Sequence, residues 1–433
     1  AGQHEGDMDD LTIPAFPAAS AADPVRGRFT GPMPVYRRLM IRGAFLQVLT
    51  LGIYRFWLTT DMRRFLWANT EVGGESAEYT GTAIELLIGF LIAIAILVPI
   101  FVLIALAGLS LGPAGQFAGL VGYVILGVLG QYAYFRARRY RLTRTVFRGV
   151  RLHQTGSAWR YAFRSILWGI AIVFTLGLAY PFAQASLERY KLSRTWYGDL
   201  QGAFAGSGAV LLLRGLLLWL ILLVPVIATI AYAIETVDWH SIAAGLRSGA
   251  ARDPGFFQSN AAFKRAAGAV FGAFGWFFLA VVVLYPAFQA IVLRWWLNGL
   301  RIGSIAVSSR LRMRSVYGAY LRYLGWTTLV TLVGALIFGA IALLIPLLFT
   351  TQGIGKEKLG ILGAIGGFVA YLALAFCVWI IYQVAVKLRL WRIMADSVEI
   401  TGFKAIENVR ADATVASSAV GEGLVDALGA GGM

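Results

Sequence analysis

Side chains able to do chemistry are scarce in this sequence, and their spacing suits none of the common catalytic or metal-binding arrangements. His4, His153 and His240 lie far apart, and Cys377 is the single cysteine, set inside an apolar run. A zinc peptidase needs two histidines one helical turn apart with an acid nearby, and His4-Glu5-Gly6-Asp7 lacks the second histidine. Gly353-Ile354-Gly355-Lys356-Glu357 has glycines before a lysine, but no Lys-Ser or Lys-Thr pair to hold a nucleotide phosphate and its metal. Gly206-Ser207-Gly208 reads as a turn rather than a nucleophile elbow. One cysteine permits neither an internal disulfide nor a cysteine metal site. The expectation is therefore no enzyme, with no catalytic residue, no metal ligand and no cofactor.

Charges in apolar surroundings are better pointers to function, because burying one in a bilayer costs about 2.5–3.5 kcal/mol even on a lenient scale. Glu85 stands near the start of one apolar run, and Arg214 stands inside another. Either Arg214 snorkels to the headgroups, or it pairs with Glu85 as a candidate intramembrane polar site. Pro99 and Pro225 fall mid-run as candidate helix kinks, flanking a pathway or serving packing. Arg136, Arg138, Arg139, Arg141 and Arg144 form the densest basic cluster. They are expected to contact anionic lipid headgroups as a topology anchor, with an acidic-headgroup or substrate site as the sharper alternative.

The elements around these residues are set by composition. The chain is 58% hydrophobic and 14% charged, where a soluble chain carries roughly 25% charged residues, and mean hydropathy is +0.71. The net charge of +16 is spread between apolar runs rather than gathered in a polar domain. That placement favours a lipid bilayer with anionic headgroups as partner over nucleic acid; a protein partner stays open. Residues 1–35 contain no apolar core of signal-peptide length.

A bilayer core of ~30 Å needs about 20 apolar helical residues. Six runs qualify: 84–107, 114–135, 208–234, 268–293, 323–350 and 361–386, the first two joined by a turn at Gly112 and Pro113. Segments 38–60 and 165–187 are ambiguous: the first holds Arg42 and Arg55, the second Gly169, Gly177 and Pro181, and both contain Thr-Leu-Gly. If both turn back, one face collects 31 of the 38 Lys and Arg; if both cross, that bias blurs. The expected fold is an all-α polytopic membrane protein with six spanning helices plus two re-entrant or interfacial helical segments. Both termini are expected to be cytoplasmic, in a bacterial inner membrane; eight full spans are the alternative.

Internal repeats support that layout. Thr50-Leu51-Gly52 recurs as Thr175-Leu176-Gly177, Arg64-Phe65 as Arg189-Tyr190, and Gly73 as Gly198. Arg139-Tyr140-Arg141, Arg189-Tyr190-Lys191 and Arg294-Trp295-Trp296 each follow an apolar segment, with a degenerate echo from Arg389. The expected organisation is a disordered acidic tail over 1–27, membrane repeats over 28–155, 156–310 and 311–410 (the last partial), and a disordered tail over 411–433. Short runs of strand character at 71–81, 149–155, 300–308 and 398–403 suggest small hairpins beneath the membrane.

Thr50-Leu51-Gly52-Ile53-Tyr54-Arg55-Phe56-Trp57, followed by Arg63-Arg64-Phe65-Leu66-Trp67-Ala68-Asn69-Thr70 and Glu78-Tyr79-Thr80-Gly81, resembles the YjgN-like family of bacterial inner-membrane proteins of unknown function. The likeness is best over residues 28–92. It implies a location and an architecture, and carries no catalytic or ligand residue. Pro181 and Glu188 depart from the pattern in the second copy.

Two function classes follow. Repeats, matched prolines and Thr-Leu-Gly breaks favour transport or permeation of a small or lipidic substrate. The scarcity of buried polar groups favours a non-transporting scaffold or accessory protein. A polar cavity between repeats discriminates for the first, a solid leucine-packed core for the second.

Overall fold

The six apolar runs fold as six long helices, and each ambiguous segment folds as a pair of short ones. The structure, a computed structural model, describes residues 24–110, 112, 115–259, 261–350, 356–410, 424–425 and 427–428. The expected turn residue Pro113, the loop 353–355, the acidic tail through residue 23 and most of the 411–433 tail lie outside those residues.

Strand β1 (Val25–Phe29) leads into a first helical hairpin of α1 (Met33–Leu49) and α2 (Arg55–Ala68). Strands β2 (Thr70–Val72), β3 (Glu75–Ser76) and β4 (Glu78–Tyr79) precede a second hairpin, α3 (Ala83–Ser110) and α4 (Gly115–Thr143). After β5 (Thr145–Phe147) and β6 (Val150–Gln154) comes the third, α5 (Ala158–Phe174) and α6 (Tyr180–Leu192). Strands β7 (Thr195–Tyr197) and β8 (Leu200–Phe204) introduce the fourth. Its arms are α7 (Gly208–Thr236) and α10 (Ala261–Gly299), bridged by short helices α8 (Trp239–Ser248) and α9 (Pro254–Ser259). Strands β9 (Leu300–Ile302) and β10 (Ile305–Ser309) lead to the fifth, α11 (Met313–Thr350) and α12 (Lys356–Tyr382). A π-helical stretch, Gln383–Leu388, and α13 (Arg389–Ser397) then reach the last strand, β11 (Val398–Thr401). Strand β1 starts at Val25, inside the span 1–27 expected to be a tail.

The expectation of an all-α fold is overturned by these strands. They form one eleven-stranded antiparallel sheet in the order β3-β2-β1-β11-β10-β9-β8-β7-β6-β5-β4. Its two edges, β3 and β4, are separated in the chain by Ala77 alone, so the strands run round a near-barrel and little open edge remains to be protected. First and last strands pair directly, with Val25 opposite Ile400 and Arg26 opposite Glu399. Both Arg26 (3.2 Å) and Arg310 (2.8 Å) bridge to the Glu399 carboxylate across that seam.

Connections alternate around the sheet. Two-residue turns join β2 to β3, β5 to β6, β7 to β8 and β9 to β10, with positive φ at positions such as Arg148 (50°) and Gly149 (74°), as tight hairpins require. The other connections are the five helical hairpins, each flanked by paired strands: β1·β2, β4·β5, β6·β7, β8·β9 and β10·β11. In an antiparallel ring, alternate connections leave from the same rim. All five helical hairpins therefore rise from one side of the sheet and return to it. At each root the same backbone bond closes the hairpin: Thr30 to Asn69, Thr80 to Arg144, Thr155 to Arg194, Ala205 to Gly299 and Arg310 to Ser397, all at 2.8–3.0 Å.

The short hairpins turn back at Thr-Leu-Gly. Leu51 and Leu176 adopt left-handed backbone (φ 51° and 50°), followed by Gly52 and Gly177 (φ 90° and 93°). The Thr50 hydroxyl donates to the Leu46 carbonyl (2.7 Å) and accepts from the Tyr54 N–H (2.9 Å); Thr175 does the same with Ala171 and Ala179. Where no water can serve broken helix ends, a hydroxyl stapling both sides of the turn satisfies them.

Among the described residues six helices are long and apolar enough to cross a membrane, and the best window of each is at most 17% buried inside the protein. Leu213, Leu336 and Phe278 are among many large apolar side chains left outside. Such continuous apolar surface is stable only against lipid, which marks a membrane-embedded protein. The fully buried large residues cluster instead at the hairpin roots, among them Tyr36, Met40, Phe135, Tyr140 and Val316.

Candidate functional site

Neighbouring hairpins are tied together by arginines on their returning helices. Arg64 Nη2 donates to the Gly81 carbonyl at 3.0 Å, and Arg189 Nη2 to the Gly206 carbonyl at 3.4 Å. Arg139 Nη2 donates likewise to the Gly156 carbonyl. In all three the acceptor lies 17 residues on, at the start of the next hairpin. Arg392 ties the last hairpin to the first by donating to the Gly31 carbonyl at 3.0 Å. This clamp comes from Arg392, after the π-helical stretch Gln383–Leu388, and not from Arg389, where the sequence echo was read to begin. Close approach favours glycine at two of these acceptors: a Cβ at Gly81 would meet the Tyr79 hydroxyl, and one at Gly31 the Phe29 ring, at 2.5 Å, while Gly156 holds a left-handed φ of 91°.

Within this scaffold a cavity of about 800 Å³ opens between the second and third hairpins. α4 supplies Gln131 and Tyr134, α5 supplies Tyr161 and Ser165, and α6 supplies Gln184, Glu188 and Lys191. Ser165 donates to Gln131 Oε1 at 2.9 Å. Lys191 Nζ lies 2.6 Å from Glu188 Oε1 and 5.3 Å from the Tyr134 ring centroid. The second carboxylate oxygen of Glu188 accepts from the Trp296 indole at 3.1 Å. Glu188 and Lys191 are 8% and 6% exposed, so each requires the other: a buried charge deprived of its partner is worth several kcal/mol of instability. Burial pushes the Tyr161 phenol up, reinforced by Tyr134 and Glu188, which keeps its proton in place. Ala427 and Leu428 close one wall, while Leu424 and Val425 pack on Ala93, Leu97, Ala133 and Ala137.

The basic cluster foreseen on α4 is spent largely on the protein itself. Arg138 Nη1 donates to Gln154 Oε1 (2.7 Å) and Thr195 Oγ1 (2.9 Å). Arg139 serves the Gly156 clamp, and Arg144 pairs with Glu85 at 2.8 Å. Arg136 and Arg141 are partly buried on the same helix. Glu85 also accepts from the Tyr140 hydroxyl at 2.6 Å, so its partners are Arg144 and Tyr140 and not Arg214. Arg214 lies elsewhere, in a crevice with Arg294. α3 and α7 continue through Pro99 and Pro225. The Ile221 carbonyl, four residues before Pro225, accepts the Trp276 indole N–H. Among the described residues no three His, Cys, Asp or Glu side chains group for a metal ion.

A family model for bacterial proteins of unknown function, DUF898, matches residues 24–427. The chain belongs to the DUF898 family. This is the family of the YjgN-like proteins that the Thr-Leu-Gly and Arg-Arg-Phe-Leu-Trp segments resemble. No curated protein and no solved structure matches the chain. In this DUF898 chain, sequence reasoning missed the Glu188–Lys191 pair as a site. The available signal was Glu188 itself, which replaces the basic residue found at Arg63 and Arg138 in the corresponding helices.

Proposed function

We propose that this DUF898 chain is a bacterial inner-membrane protein that passes or binds a small polar or amphipathic substrate through the cavity between its second and third hairpins. The cavity carries the reading: about 800 Å³, with a buried ion pair, two amides and a hydroxyl facing a space otherwise walled by apolar helices. Polar groups inside a membrane bundle are expensive to keep and mark substrate paths. The five hairpin units, read as related copies, give the interface between repeats where transporters place their sites. The sheet is assigned to the cytoplasm, since the basic residues at the hairpin roots then obey the charge rule.

Water access tests the reading. In a Cys377→Ser background, Ser165→Cys is treated with a membrane-impermeant thiol reagent in vesicles of both orientations. Labelling from at least one side, with Leu213→Cys inert, is the expected result. Ser165→Cys inert from both sides would leave a sealed core and favour a scaffold.

A further inference from the structure

Four of the five junctions between hairpins are closed by an arginine on a carbonyl; the junction between the fourth and fifth is not. Arg294 occupies the clamp position on α10, but 17 residues on stands Leu311 rather than glycine. Leu311 is 4% exposed and packs with Ala290 and Val316, filling the space the clamp would need. Arg294 instead lines a crevice of about 220 Å³ with Arg214, Ala290, Ile291, Leu311 and Met313. Neither guanidinium has a hydrogen-bond or ion-pair partner among the described residues. Ile291 also lines a second, apolar crevice of about 260 Å³ between α6, α7 and α10, walled by Leu212, Leu216, Trp219 and Phe288.

We infer that this open junction is a binding site for an anionic glycerophospholipid, its phosphate held by Arg214 and Arg294 and an acyl chain laid in the adjoining apolar crevice. Two unpaired guanidiniums at the root end of apolar helices call for an anion. The remaining lining is predominantly apolar, which a free ion would not use and an acyl chain would. The site stands apart from the cavity at Glu188 and does not depend on what that cavity conducts.

Native mass spectrometry of the purified full-length protein, titrated with phosphatidylglycerol or phosphatidylcholine, tests it. Wild type should bind its first phosphatidylglycerol more tightly than phosphatidylcholine. Arg214→Gln with Arg294→Gln should weaken that binding roughly ten- to thirtyfold, the effect of two charges at a lipid surface. Phosphatidylcholine binding should stay unchanged, and Arg247→Gln with Arg252→Gln should change neither. The Arg214→Lys, Arg294→Lys protein should keep most of the preference, and it stands in if the glutamine pair does not purify. Equal affinity for the two lipids in wild type, or unaltered phosphatidylglycerol binding in the glutamine pair, would overturn the site. Displacement of the lipid by millimolar inorganic phosphate would reassign it to a soluble anion and sink the lipid.

Discussion

The Trp276 indole on α10 donates at 3.0 Å to the Ile221 carbonyl on α7, the acceptor that Pro225 leaves without its usual helical donor. Proline has no N–H to give four residues back, and in hydrocarbon a neighbouring helix must supply one. Trp276→Phe should therefore destabilise the protein by about 1 kcal/mol. In a Pro225→Ala background, where the helical N–H returns, the same change should cost little. Unfolding in mixed micelles of the four proteins checks this; an equal loss in both backgrounds would show that the indole acts only by packing.

The ring clamps predict an asymmetry between arginines that look alike in sequence. Arg64→Gln removes a charge-assisted bond to the Gly81 carbonyl and should cost about 1.5–3 kcal/mol. Arg294→Gln removes no internal bond and should stay within about 0.5 kcal/mol. Thermal unfolding of the two variants in one detergent compares them directly.

The Glu188–Lys191 pair should behave as a unit. Glu188→Gln or Lys191→Met alone leaves a buried charge facing a neutral partner and should cost about 3–5 kcal/mol. The double variant should lose clearly less than the two singles combined. A strictly additive result in a denaturation cycle would mean that the two charges are solvated separately.

Close approach at Gly81 is specific to its place. Gly81→Ala puts a methyl 2.5 Å from the Tyr79 hydroxyl oxygen and should cost about 1–3 kcal/mol through overpacking. Gly119→Ala, on an open face of α4 with nothing within 4 Å, should be neutral or slightly stabilising, since alanine is the better helix former. Melting temperatures of both variants supply the comparison.

Legibility divides along the range of the interactions involved. The six long helices follow from apolar length alone, and α3, α7 and α11 contain the runs read at 84–107, 208–234 and 323–350. Thr-Leu-Gly marked both short hairpins because a stapled turn is local: every partner of Thr50 lies within four residues. The arginines at the helix ends were visible as a pattern, but their acceptors were not, since a glycine carbonyl leaves no signature in composition.

What this sequence determines by itself is its solvent and the length of its hairpins, because transfer to lipid is summed residue by residue. The sheet was decided only by the tertiary structure. Its strands have two to five residues, too few to show an alternating face, and β1 meets β11 from the opposite end of the chain. The same holds for the sites. Arg214 on α7 and Arg294 on α10 became neighbours when the ring brought separate helices together, and the local i,i+3 pair Glu188–Lys191 on α6 became a buried site only when Tyr134 of α4 and Trp296 of α10 closed on it; that closure rests on long-range pairing that no local window of residues encodes.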